Sequence, residues 1–109
     1  MMRVLIVPVV FAMALAGPAF AADAKIEQGP KVFAAQKCSL CHSIANKGNK
    51  KGPLDDVGSK LKPEEIRKWI TAPQTMKSST DRKPPMKAFA NLPAADLDAL
   101  VTYLSSLKK

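Results

Sequence analysis

The sequence predicts a small all-α domain, and three observations carry that reading. Residues 63–71 (PEEIRKWIT) place Ile66, Trp69 and Ile70 at i, i+3 and i+4, one face of a helix. After Pro93, the side chains of Leu97, Leu100, Val101, Leu104 and Leu107 form one apolar stripe at helical spacing. No segment alternates with period two for long enough to make a strand.

The chain opens on an address rather than a structure. Arg3 supplies a short positive start, residues 4–15 are apolar apart from Pro8, and Gly17-Pro18 would end any helix. Ala19-Phe20-Ala21 is then an A-x-A cleavage pattern. The expectation is a signal peptide over 1–21, cut after Ala21, and a mature domain over 22–109. The apolar run falls short of the ~20 residues that span hydrocarbon. Export to the periplasm is therefore expected, without a retained membrane anchor.

In the mature chain Pro30 fits a first helical turn, where its missing N–H costs nothing, and Val32 and Phe33 follow at helical spacing. Residues 46–53 (NKGNKKGP) read as a polar loop. Pro63 starts the next helix, with Glu64 and Glu65 at its positive end, and Pro73 stops it. Residues 75–85 are irregular, and Pro93 opens the last helix.

Length and charge narrow the function. A chain of 109 residues holds one domain, and 24% charged with 47% hydrophobic residues is a globular balance. The net charge of +8 raises nucleic acid as a partner, but the composition argues against it. Past the expected cut there are fourteen lysines and two arginines, and Trp69 and Tyr103 are not interleaved with a basic stripe. Three or four short helices also bury little apolar surface, so a domain of this size needs a staple.

Residues 38–42 supply one. Cys38-Ser39-Leu40-Cys41-His42 is a C-x-x-C-H sequence, the signature of covalent haem attachment. Two cysteines three apart on a helical turn face one side, so both can form thioethers to the vinyl groups of one macrocycle. His42 then faces the iron with a borderline nitrogen ligand. A bare C-x-x-C disulfide lacks the βαβ context of a redox motif here. A zinc site would have only three of its four ligands.

On these residues the mature chain resembles a small class I c-type cytochrome. Gly29 with Phe33, and Leu100 with Tyr103, resemble the family's pair of crossing terminal helices. Gly52-Pro53-Leu54 resembles its G-P-x-L loop, where the proline carbonyl accepts from the axial histidine. Such a bond fixes the tautomer and makes the ligand more electron-donating. Trp69 resembles the aromatic residue near a haem propionate. The resemblance implies a small cytochrome c fold of three to four helices around one haem c, attached through Cys38 and Cys41. Pro30 inside the first helix and Pro93 in place of a Ser or Thr cap depart from the family's pattern.

The sixth iron ligand is expected to be Met86, in KPPMKAF, which resembles the family's methionine loop. A soft thioether favours the reduced iron, and the two prolines stiffen its presentation. Met76 is the rival sulfur, and packing in the core is the bland role for either. Iron held by His42 and Met86 has no open position, which fits one-electron transfer rather than catalysis. No acid–base pair or activated nucleophile is in view, and Asp55, Asp56, Glu64 and Glu65 read as solvated. Lys37, Lys60, Lys83 and Lys87 would steer acidic redox partners to a monomeric carrier. Two other readings stay open: an open-site haem protein for gas sensing or peroxidase-like chemistry, and a haem subunit of a larger periplasmic redox enzyme.

Overall fold

The computed structural model describes residues 18–76 and 85–109. The expected leader therefore lies outside the described residues, apart from 18–21, and so does Lys83. The described residues form four helices in order: α1 (Pro18–Ala35), α2 (Val57–Lys60), α3 (Pro63–Thr71) and α4 (Ala94–Ser105). Short 3-10 turns occupy Cys38–Leu40 and Pro73–Thr75. A two-residue hairpin pairs β1 (Ser43–Ile44) with β2 (Lys47–Gly48), antiparallel. The all-α expectation holds in outline, since two-residue strands are too short to leave a periodic trace. Among the described residues, no helix is long and apolar enough to cross a membrane.

The core sits where α1, α3 and α4 meet. Val32 and Phe33 of α1 pack with Ile66 and Ile70 of α3 and with Leu100, Val101 and Leu104 of α4. Burying each such side chain contributes on the order of 2 kcal/mol. Leu100 is 1% exposed and lies at the centre.

The α1–α4 crossing depends on one absent side chain. A Cβ on Gly29 would overlap the Tyr103 Cβ, and would stand 2.7 Å from Tyr103 Cγ and 2.9 Å from the Ala99 carbonyl oxygen. Both pairs singled out in the sequence, Gly29 with Phe33 and Leu100 with Tyr103, belong to this contact.

Pro30 corrects the first expectation. It lies inside α1, not in its first turn. It has no N–H to give the Ile26 carbonyl, a loss that breaks many helices. Residues 23–28 are exposed, so water can satisfy the freed carbonyl, and packing on α4 carries the helix through.

α3 begins and ends as expected. Glu65 reaches back to accept from the Lys62 N–H at 3.1 Å, half of a capping box whose other half Lys62 has no acceptor to make. Arg67 of α3 donates to Asp98 of α4 at 2.6 Å. That hydrogen bond, then the guanidinium charge, holds the Asp98 carboxyl below the usual carboxylate range. A depressed carboxylate contributes stability above roughly pH 4, the ordinary unfolded value, and loses it as pH falls through the native value. Both side chains are exposed, so the effect is small and screened by salt. Asp98→Asn should lower the urea midpoint slightly at neutral pH, and the gap should close on acidification. A gap that widened with acid would contradict this assignment.

Candidate functional site

The site is built where α1 ends. Its last turn gives way at Lys37, whose backbone is left-handed at φ 58°. Helices often end on a left-handed residue, though glycine is the usual one, and a lysine there carries a cost of order 1 kcal/mol. The reversal starts the Cys38–Leu40 turn, and the N–H groups of Cys41 and His42 both return to the Cys38 carbonyl, at 3.2 and 3.0 Å. Cys38 and Cys41 thus sit on one tight turn. Both are free thiols, Cys38 half-buried and Cys41 exposed. Burial pushes the Cys38 thiol up from its ordinary value, which holds it in the protonated form.

His42 is half-buried and anchored through its ring. Its Nδ1 donates to the Gly52 carbonyl at 3.0 Å. With a carbonyl as partner, Nδ1 carries the proton in the neutral ring, and the lone pair resides on Nε2. The resemblance assigned this acceptor to the Pro53 carbonyl, and the structure places it one residue earlier. The reason is local. Ser43 N–H also reaches the Gly52 carbonyl at 3.0 Å, and Leu54 N–H reaches the Ser43 carbonyl at 2.8 Å. These two bonds form a bridge between Ser43 and Pro53 that turns the Gly52 carbonyl toward the histidine. Gly52 also has no room for a side chain: a Cβ there would overlap the Cys41 carbonyl oxygen and stand 3.0 Å from His42 Nδ1.

The hairpin behind His42 turns on Ala45 and Asn46, both left-handed at φ 51° and 64°. That is the pattern of a two-residue hairpin turn, in which alanine is an unfavourable choice. Asp55 offsets the strain by accepting from the Ala45 N–H at 2.7 Å. Asp55 reads as solvated in the sequence, and the structure gives it this bond. Asn49 was missed as well. It bonds to Ser39, Leu40 and His42, whereas the sequence shows only a turn-forming residue in a polar loop.

The remaining expected residues stand on the other elements. Trp69 lies on α3 and is half-buried. Met86 is half-buried in a coil segment that Phe89 ties to the end of α3, its N–H donating to the Ile70 carbonyl at 2.8 Å. Met76 is also half-buried, just past the Pro73–Thr75 turn. Lys37, Lys60 and Lys87 are exposed, and Lys87 Nζ lies 5.7 Å from the centroid of the Phe89 ring.

The donor set fits a planar group better than a bare ion. Among the described residues no three His, Cys, Asp or Glu side chains converge closely enough to hold a metal ion. Cys38, Cys41 and His42 are adjacent without forming such a cluster. Two thiols on one turn and an imidazole with its ring already fixed suit a macrocycle bonded at its edge and ligated at its centre.

Comparison with known proteins agrees with this chemistry. The sequence matches the family described as Cytochrome c over residues 26–108. It is 30% identical over 90 residues to cytochrome c oxidase subunit 2 of Alkalihalophilus pseudofirmus. That match takes in 74% of this chain and 25% of the relative, so the chain spans about a quarter of the relative's length. No solved structure matches it.

Proposed function

The chain belongs to the cytochrome c family, and we propose that it is a soluble, monomeric, periplasmic carrier of single electrons whose iron is held between His42 and Met86. Membership brings haem c, attached through Cys38 and Cys41, and haem-based electron transfer. The observation that carries the reading is the His42 Nδ1 bond to Gly52, directly beside two free thiols on one turn.

When bound, the haem supplies an iron that alternates between the ferric and ferrous states by one electron. The chain's own residues do the rest. The Gly52 carbonyl fixes the His42 ring and strengthens it as a donor. The Phe89–Ile70 bond and Pro85 restrain the segment that carries Met86. Ligands that stay in place in both oxidation states keep rearrangement small. Export rests on the leader-like residues 1–21.

Acidic redox proteins are the partners the charge favours. Without Arg3 of the leader the net charge is +7, carried mostly by lysines, and it raises the encounter rate with anionic surfaces. Weak encounters of this kind suit a shuttle. The similarity to an oxidase subunit supports a second reading, in which the chain delivers electrons within or to a terminal oxidase. No nucleic-acid role is proposed.

Small redox reagents test the steering directly. Oxidation of the ferrous protein by anionic ferricyanide should slow as salt is added, and oxidation by a cationic cobalt complex should speed up. Rates that ignore ionic strength with both reagents would remove the lysines from the mechanism.

A further inference from the structure

We propose that Asn49 is a positioning residue for the iron ligand His42, coupling the cysteine turn to the carbonyl that holds the imidazole. The proposal rests on the reading above only in taking His42 as an iron ligand.

Asn49 spends all its polar groups on this junction. Its backbone N–H lies 3.0 Å from the Ser39 carbonyl and 3.1 Å from the His42 carbonyl. Its side-chain Nδ2 donates to the Leu40 carbonyl at 3.1 Å. Three of the five carbonyls of residues 38–42 are thereby bound by one residue. In the other direction, Asn49 Oδ1 accepts from the Lys51 N–H at 3.0 Å, and its carbonyl accepts from the Gly52 N–H at 3.2 Å. Gly52 is the residue whose carbonyl holds His42 Nδ1.

The consequence is a closed circuit. Asn49 grips the backbone on both sides of Cys41 and sets the turn that delivers the Gly52 carbonyl. The His42 ring bond therefore depends on the 49–52 turn as well as on the Ser43 bridge. The side chain matters apart from the backbone, because Nδ2 and Oδ1 face opposite ways, one to the cysteine turn and one to the Gly52 turn. Aspartate would keep the acceptor to Lys51 and set an oxygen against the Leu40 carbonyl. Alanine would lose both bonds. A weaker bond at Nδ1 makes the imidazole a poorer donor, which disfavours the ferric state.

The test uses the haem-loaded protein and two readouts. Proton NMR follows exchange of the His42 ring N–H, whose signal the iron displaces when His42 is a ligand. Titration gives the midpoint potential. Asn49→Ala should speed ring N–H exchange tenfold or more and move the potential upward, with Asn49→Asp between alanine and wild type. Leu97→Ala on α4 serves as a control that destabilises the domain without touching the loop. It should leave both readouts near wild type when measured well below its unfolding transition.

Unchanged exchange and potential in Asn49→Ala would overturn the proposal. So would equal changes in Leu97→Ala, which would mark the effect as general loosening. A wild-type spectrum with no iron-displaced ring N–H would remove His42 as ligand, and would overturn the proposed function together with this inference. Failure of Met86 ligation alone would leave the His42 signal in place and the proposal standing.

Discussion

Gly29→Ala should lower the melting temperature of the haem-loaded protein by about 12–24 °C. The added methyl would overlap the Tyr103 Cβ and stand 2.9 Å from the Ala99 carbonyl oxygen, so both a side chain and backbone of α4 oppose it. Overpacking typically costs about 1–3 kcal/mol, and a clash that includes backbone lies at the upper end. For a domain of this size each kcal/mol is worth roughly 4–8 °C. The insertion would also pry α1 from Leu100, the most buried side chain of the core. Gln28→Ala, at an exposed position next in sequence, should melt close to wild type. A Gly29→Ala protein melting within a few degrees of wild type would mean that the helices do not cross as closely as described.

Met86→Ala should lower the midpoint potential by on the order of 0.1 V or more, within the ~0.8 V over which axial ligands act. The thioether is soft and favours ferrous iron. Its loss admits water or another base, each of which favours the ferric state more. Met76→Ala should leave the potential near wild type. A fall in potential on replacing Met76, with none on replacing Met86, would exchange their roles.

The parts of the fold that are legible in the sequence are those decided locally. α3 is bounded by Pro63 and Pro73, begins with two glutamates and carries an apolar face, and all of this lies within eleven residues. α4 has its stripe and Pro93. α1 shows where local rules fail. Pro30 reads as a helix start, yet the contact of Gly29 with Tyr103 carries the helix past it, and no local window contains that contact.

The site divides in the same way. Cys38, Cys41 and His42 are legible because the chemistry needs those side chains at that spacing. The acceptor of the histidine bond is a backbone carbonyl, which every residue has, so its place at Gly52 rather than Pro53 follows from tertiary contacts such as the Ser43 bridge. Asn49 and Asp55 act on backbone groups ten residues or fewer away in sequence but across a turn, and a polar loop gives no sign of such bonds. Met86 stands out because few sulfurs follow the expected leader, and two prolines precede it.

The central claim is six-coordinate iron between His42 and Met86, and carbon monoxide tests it most directly. The ferrous wild-type protein should show no spectral change on exposure to the gas, and its ferric form should carry the far-red methionine–iron band. Met86→Ala should lose that band and bind the gas readily. A ferrous wild-type protein that bound carbon monoxide at once, with a high-spin ferric spectrum, would contradict the claim and make the protein an open-site sensor or catalyst.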